Sequence, residues 1–156
     1  PEGNLHLTLH FLGETGPERL GELEEILARG CELGRPIKLA PKELGAFPGP
    51  KRARGLELRL EDPTLALEEL QQLLGQLLRR GGFPVEERAF RPHITLARVK
   101  GKRPRRLDPS DFPRTGLPVG SYSLIRAHLY RSELGSGGAR YSSLRCCKIG
   151  NDAEAE

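Results

Sequence analysis

The chain has 156 residues, which suits one domain, because this length can bury a sizeable core but is short for two independent ones. Its 37% hydrophobic and 29% charged residues indicate a soluble globular protein rather than a disordered or membrane one, and no apolar run approaches the roughly 20 residues of a membrane helix. The net charge of +4 and the pI of about 9.2 are only a weak indication of an anionic partner.

The cysteines and the lack of a secretory signal pattern indicate where in the cell the protein is expected. Cys31, Cys146 and Cys147 show neither disulfide-framework nor zinc-site spacing, so we expect reduced thiols. No basic segment followed by an apolar run resembles a secretory signal, and we therefore expect a cytoplasmic protein.

The first half of the chain predicts a strand, a helix and two more strands. Asn4–Leu12 alternates, with Leu5, Leu7 and Leu9 on one side and His6, Thr8 and His10 on the other, which predicts a half-buried strand. A helical pattern opens at Pro17 and ends near Gly30. Further strands are predicted over 37–47, up to the turn at Pro48-Gly49-Pro50, and over 55–60.

The second half predicts a helix followed by strands. Leucines at helical spacing lie between Pro63 and Gly81, and 90–99 reads as a strand followed by a basic loop. The stretch 119–134 has strand character, with 140–144 as its hairpin partner across a turn at 135–138. We expect one domain over 1–145 and a polar tail over 146–156. The element order predicts an α+β fold with mainly antiparallel pairing.

Two copies of one short motif point to chemistry. His6-Leu7-Thr8 and His93-Ile94-Thr95 both lie in predicted strands, where positions i and i+2 project from one face about 7 Å apart. Each copy therefore presents an imidazole beside a hydroxyl. If the two strands meet, one histidine can act as base and the other as acid in opening a phosphodiester, while the threonines bind the non-bridging oxygens. This chemistry needs no metal, and we expect no cofactor.

A metal site is the alternative interpretation, because His6 and His10 share a face and His93 could lie nearby. No cysteine or carboxylate at ligand spacing supports it, and Glu14 is the nearest acid to the first motif. His10 either borders the pocket and contacts substrate or is solvated. His128 shares a predicted strand face with Tyr130 and Ser132, which favours a structural role.

The segment after the second motif is strongly basic. It has six cations in nine residues: Arg98, Lys100, Lys102, Arg103, Arg105 and Arg106. Such a run is either a solvated loop or, directly after a phosphate-binding strand, a contact for the RNA backbone. Aromatic residues make up only 5%, so Phe11 or Tyr141 could hold one terminal base without extensive stacking.

The stretches Asn4–Glu14 and Phe90–Arg98 resemble the two-histidine phosphoesterases, specifically the LigT-like RNA 2′,3′-cyclic phosphodiesterases once called 2′-5′ RNA ligases. The linking pieces at 45–48 and 130–134 are also similar, and the resemblance runs from Pro1 to about Leu144. It implies a bilobal α+β fold of pseudo-twofold symmetry, with two antiparallel sheets flanking a cleft and helices outside. The implied substrates are RNA ends or nucleotides with a 2′,3′-cyclic phosphate. We expect the protein to be a monomer and not to bind a membrane.

The same resemblance implies the residue roles. His6 and His93 would form the acid-base pair, Thr8 and Thr95 would hold the phosphate, and Arg98 would be the arginine that closes the second motif. The implied reaction yields a 2′-phosphate, with weak ATP-independent 2′-5′ ligation as a side activity. The candidates for RNA contacts are His10, Phe11, Lys100, Lys102, Arg103 and Tyr141.

Three features depart from the family pattern. A strand and a helix normally precede the first motif, and this sequence has neither. The third strand at 55–58 lacks a tryptophan that is frequent there, and Cys146-Cys147 replaces the expected hydrophobic residues, so the last strand could end early. A binding module that keeps the phosphate cradle without turnover is therefore an alternative to the enzyme. A metal-dependent hydrolase is the other.

Overall fold

A computed structural model describes residues 5–101, 103–112, 119–135 and 138–150. Within these residues there are two α-helices, α1 (Leu20–Leu33) and α2 (Ala66–Arg80). Six strands accompany them: β1 (Ile37–Phe47), β2 (Gly55–Glu61), β3 (His93–Arg98), β4 (Tyr122–Leu124), β5 (Arg126–Gly135) and β6 (Gly138–Lys148). The strands form one sheet of order β3-β2-β1-β4 and a separate β5-β6 hairpin, and the pairs β1-β2, β2-β3 and β5-β6 are all antiparallel. The predicted α+β class with two sheets is confirmed.

The chain divides into two compact units. The first comprises residues 1–8, 39–63 and 89–122, and so holds most of the larger sheet together with both His-x-Thr motifs. The second comprises residues 9–38, 64–88 and 123–156, and holds both helices and the hairpin. Among the described residues, no helix is long and apolar enough to span a membrane.

The core of the second unit forms where the apolar faces of the helices meet. Leu23 of α1, Leu78 of α2 and Phe83 are buried together, because helical spacing places each leucine on the inward face of its helix. The helices approach closely at Gly30, where an added Cβ would lie 2.4 Å from Cδ2 of Leu74. The prediction that the first helix ends near Gly30 is wrong. This glycine serves close helix packing, and α1 continues to Leu33.

Two strand predictions need correction. Residues 5–12 do not form a strand, because only Leu7 in this segment makes a β-bridge. Alternation predicts which side chains are apolar, but a strand also needs a partner along its length. The single strand predicted over 119–134 is two, β4 and β5, which break at Ile125 and belong to different sheets.

The predicted tail starts too early. β6 continues through Cys146 and Cys147 to Lys148, where its pairing with Arg126 ends, and Ile149 is buried. The last strand therefore does not end before the cysteines, since cross-strand partners and burial outweigh the polar composition there. Residues 151–156 lie outside the described part, and the prediction of one domain over 1–145 stays a prediction.

Candidate active site

The two His-x-Thr motifs meet at their central residues. Leu7 and Ile94 form an antiparallel β-bridge. Antiparallel pairing then places His6 on the side of Thr95 and Thr8 on the side of His93. Since successive side chains of paired backbone point to opposite faces, this register predicts that the two imidazoles and two hydroxyls share the face opposite the bridged pair. All four of these side chains are partly exposed.

An apolar row supports this site from behind. In the register of the larger sheet Leu44 pairs with Leu58, and Leu58 pairs with Ile94, which bridges to Leu7. Directly opposed residues on neighbouring strands project from the same face, so these four side chains line up across the sheet. Leu58 is buried in this row. The row fixes which face the histidines occupy.

Charged residues of β1 and β2 lie beside the second motif. Glu57 pairs with Thr95, and Arg59 pairs with His93, so both share the motif's face. The Arg59 guanidinium donates hydrogen bonds to Glu43 at 2.8 Å and to Glu57 at 3.1 Å, which raise the pKa of Arg59 above its ordinary value. Arg59 therefore stays cationic, and two carboxylates share its charge.

A backbone carbonyl determines the tautomer of His93. Nδ1 of this imidazole lies 2.8 Å from the carbonyl oxygen of Arg91. A carbonyl oxygen only accepts hydrogen bonds, so Nδ1 carries the proton and donates. In the neutral ring Nε2 then holds the lone pair, which leaves it as the nitrogen that can take up and return a proton.

Arg98 reaches the same face because β3 contains an irregularity. Thr95 pairs with Glu57, but the next pair is Ala97 with Leu56, so Leu96 is one residue more than β2 has opposite it. Such a bulge changes the side to which later side chains point. Arg98 consequently pairs with Gly55, and its Cζ lies 5.5 Å from the centroid of the Phe47 ring.

The predicted RNA contacts fall in different parts of the chain. Lys100 and Arg103 are exposed in the unit that holds both motifs, whereas Lys102 lies outside the described residues. Phe11 and Tyr141 belong to the second unit. Phe11 is exposed, and Tyr141 makes an edge contact with the Tyr130 ring, with the centroids 6.0 Å apart.

The other two histidines, His10 and His128, contact residues of the second unit. His10 donates through Nε2 to the carbonyl oxygen of Gln71 in α2, at 2.7 Å, so the interpretation of His10 as a merely solvated side chain is wrong. A strand pattern could not reveal this contact, because the partner is a helix 61 residues away in sequence. His128 lies 2.9 Å from the Ser143 hydroxyl and stacks on Tyr130, with the ring centroids 5.3 Å apart.

Sequence reasoning missed Phe47, Glu57 and Arg59 as neighbours of the site. The signal for Phe47 was Gly55, since a glycine inside a strand often marks a bulge or a close approach of another group, whereas Glu57 and Arg59 follow only from the register with β3. An added Cβ at Gly55 would lie 2.4 Å from the Phe47 ring. Among the residues that the structure describes, no three His, Cys, Asp or Glu side chains are grouped so that they could hold a metal ion.

The chain is similar to known proteins over most of its length, including both His-x-Thr motifs. The family model described as LigT like Phosphoesterase matches residues 1–56 and 58–141. An RNA 2′,3′-cyclic phosphodiesterase of Methanothermobacter thermautotrophicus is 31% identical over 147 residues, which cover 94% of this chain and 79% of that protein. A crystal structure of a Thermus thermophilus protein superposes with a TM-score of 0.79 at 28% identity, covering 96% of this chain and 80% of that one. Escherichia coli LigT in complex with 3′-AMP gives a TM-score of 0.70 at 28% identity, with 96% and 79% covered.

Proposed function

The chain belongs to the LigT like phosphoesterase family, and from this membership we propose that it is an RNA 2′,3′-cyclic phosphodiesterase. It hydrolyses a 2′,3′-cyclic phosphate at an RNA end to a 2′-phosphate. The observation that carries the proposal is the bridge between Leu7 and Ile94, which joins the two His-x-Thr motifs at their central residues. The name of the Methanothermobacter relative supports the same reaction.

The reaction needs two proton transfers on opposite sides of phosphorus. The oxygen of water forms a bond to phosphorus as the bond to the 3′ oxygen breaks, and the bond to the 2′ oxygen, which stays intact, keeps the phosphate there. One imidazole takes a proton from the water, and the other gives a proton to the departing 3′ oxygen. In the register of the bridge, His6 and His93 are diagonal neighbours, for which a regular sheet gives a backbone separation of about 7–8 Å, enough room for a phosphate between the rings.

The other groups on this face suit the non-bridging oxygens. The hydroxyls of Thr8 and Thr95 donate hydrogen bonds to oxygens that carry more negative charge in the transition state. Arg98 supplies a cation, since the Leu96 bulge turns its guanidinium to the histidine side. Because Arg59 is shared by Glu43 and Glu57, Arg98 is the cation better suited to pair with the phosphate.

The partner and setting belong to the same proposal. The chain acts as a cytoplasmic monomer on RNA ends or nucleotides with a cyclic phosphate, and a complex of E. coli LigT with 3′-AMP supports the nucleotide part. Phe11 and Tyr141 are proposed to contact a terminal base, and Lys100, Lys102 and Arg103 the RNA backbone. For His10 we favour a structural role, because its imidazole is hydrogen-bonded to α2.

The deciding experiment is hydrolysis of a 2′,3′-cyclic mononucleotide with a chelator present, with the product identified by phosphorus NMR. We expect a 2′-phosphate and a bell-shaped pH profile, with loss of about 10²- to 10⁴-fold in His6→Ala and in His93→Ala. His128→Ala, which removes an imidazole from the hairpin of the second unit, is the matched control and keeps its activity. Activity that disappears with the chelator would favour a metal-dependent hydrolase. Binding of a 2′-phosphate nucleotide without turnover would favour a binding module.

A further inference from the structure

Two segments distant in sequence are joined by backbone hydrogen bonds in the first unit. Ala53 and Arg105 exchange both of their backbone hydrogen bonds, with N–O distances of 2.7 and 3.0 Å. The amide of Leu107 donates to the carbonyl oxygen of Pro50 at 2.9 Å, and that of Val99 donates to Arg54 at 2.8 Å. The turn at 50–54 is therefore held alongside the loop at 99–107.

This pairing merges two groups of cations into one basic surface, which we define by eight exposed residues: Lys51, Arg52, Arg54, Arg98, Lys100, Arg103, Arg105 and Arg106. Ala53 in the middle of the first segment has no exposed area, so the backbone is anchored inward while its charged neighbours point outward. A cation on an anchored backbone loses less conformational entropy when it binds than one on a free loop.

The two sequence segments that carry the basic surface contain no acidic residue. The sequence has no Asp or Glu from Leu44 to Leu56 or from Ala89 to Leu107. Elsewhere the ion pairs are numerous and include those of Arg59, Arg88 and Arg131. By contrast, within the described ranges, Lys51, Arg52 and Arg106 have no carboxylate at ion-pair distance. A surface of this kind fits a partner that carries regularly spaced negative charge.

We infer that the basic surface binds the phosphate backbone of the RNA strand leading to the cyclic phosphate end, so that the protein prefers polynucleotide over mononucleotide substrates. The inference rests on the proposed function, since it places the reacting end at the His-x-Thr motifs. Arg98 connects the two regions, because it is three residues from Thr95 along β3, about 10 Å, and lies on the same face.

The chemistry of the surface favours backbone contacts without sequence readout. The segments 48–54 and 97–107 contain no aromatic residue on which a base could stack. Lysine and arginine contacts to phosphates release counterions, so the preference for a strand must weaken as salt rises. An acidic protein segment could also be attracted, and the test separates it from RNA.

The test compares a cyclic mononucleotide with a strand of roughly 12 nucleotides that ends in a 2′,3′-cyclic phosphate, from about 50 to 200 mM salt. We expect a kcat/KM at least about tenfold higher for the strand at low salt, and loss of this advantage at high salt. The triple variant Lys51→Gln, Arg52→Gln and Arg106→Gln should lose the advantage while mononucleotide hydrolysis stays unchanged. Its salt slope should fall by about 2, since each lost contact to a single strand contributes about 0.7.

A control variant tests whether the position of the charge matters. Arg79→Gln, Arg80→Gln and Arg126→Gln removes the same charge from exposed sites of the second unit and should keep the full advantage. Equal kcat/KM for both substrates at every salt concentration, or an equal loss in the control, would overturn the inference. So would competition by polyglutamate as strong as that by an RNA strand, which would indicate an acidic protein partner.

Failure of the proposed function would look different. If the protein does not hydrolyse the mononucleotide, binding of an RNA strand that ends in a 3′-hydroxyl can be measured by fluorescence anisotropy. Binding that is tight in the wild type and in the control, but weak in the triple variant, would support the basic surface independently of catalysis. Equal binding by the wild type and the triple variant would overturn it.

Discussion

Arg98 lies above the ring of Phe47, with its Cζ 5.5 Å from the ring centroid, and the two residues flank Gly55 on the middle strand. The contact depends on the additional residue Leu96 in β3, because regular alternation from Thr95 would turn Arg98 to the opposite face. It also depends on Gly55, which leaves space for the ring. An aromatic ring, a glycine and a bulge thus together position a cation on the face of β3 that carries His93 and Thr95.

Gly55→Ala should therefore impair both stability and turnover. The new Cβ would lie 2.4 Å from Cζ of Phe47 and 2.4 Å from the Ala97 carbonyl oxygen, so the ring must move and Arg98 loses its support. We expect about 1–3 kcal/mol less unfolding free energy by denaturant titration, and a lower kcat/KM on the cyclic mononucleotide. Gly49→Ala is the control, because its Cβ would contact nothing within 4 Å. Equal effects of the two substitutions would contradict the packing argument.

The tautomer of His93 is a second prediction. Nδ1 donates to the Arg91 carbonyl oxygen at 2.8 Å, so the neutral ring should carry its proton on Nδ1. Nitrogen-15 NMR of the imidazole, recorded above the pH at which the ring is protonated, distinguishes the two tautomers. A neutral His93 with the proton on Nε2 would mean that the bond to Arg91 is absent in solution, and would remove the argument for Nε2 as the reacting nitrogen.

The sequence predicted the apolar pattern better than the pairing of strands. Helical spacing in α2 and alternation in β2 follow from burial alone, so both elements were predicted close to their observed bounds. The segment around His6 also alternates, yet only Leu7 of its described residues pairs. Alternation reports which face is buried, whereas pairing depends on a partner distant in sequence.

The candidate site shows the same division. The two His-x-Thr motifs could be recognised as a pair because they are identical in chemistry, and the bridge between Leu7 and Ile94 brings them together. The position of Arg98 could not be obtained from alternation, since a one-residue bulge is set by the register with β2. The Lys51 and Arg52 turn was missed for a similar reason, because its contact with the loop at 99–107 is made by backbone atoms.

A pair of glycines in α1 provides a third prediction. Gly30→Ala would place a Cβ 2.4 Å from Cδ2 and 3.0 Å from Cγ of the buried Leu74, so the helices must separate, at a cost of about 1–3 kcal/mol. Gly21→Ala meets nothing within 4 Å and should stabilise the same helix by about 0.5–1 kcal/mol through backbone entropy. Thermal unfolding should therefore shift in opposite directions. Stabilisation by Gly30→Ala would show that α1 and α2 are less closely packed than described.

The structural role of His10 is a fourth prediction. His10→Ala removes the hydrogen bond to the Gln71 carbonyl oxygen and the ring that lies beside Gly75, so it should lower the unfolding free energy by about 1 kcal/mol or more. Hydrolysis of a cyclic mononucleotide should change little. A large rise in KM without loss of stability would instead support contact between His10 and substrate. His10→Gln, which keeps an N–H donor, should recover part of the stability.

Thiol reactivity gives the fifth prediction, since the three cysteines differ in environment. Burial raises the pKa of Cys31 from 9.0 to about 11, and the neighbouring Cys147 and Cys146 thiolates and a hydrogen bond with Cys147 act in the same direction. The thiolate is the nucleophile, so two pH units mean that Cys31 has about a hundredfold less reactive form than an ordinary thiol near pH 8. Cys146, which is exposed, should be alkylated by iodoacetamide well before Cys31.

The pH dependence of stability follows from the sign of the same pKa shift. Below pH 9 both the folded and the unfolded chain keep the Cys31 thiol protonated, so its contribution to stability is complete there. Between 9.0 and about 11 the unfolded chain loses this proton and the folded chain keeps it, so the unfolding free energy must fall as pH rises. Cys31→Ala should weaken that decline the most, and Cys146→Ala should weaken it less, because burial is the largest cause of the shift and Cys146 only a smaller one. Mass spectrometry of alkylated peptides over the same pH range checks the assignment, and equal rates for Cys31 and Cys146 near pH 8 would contradict burial of the Cys31 thiol.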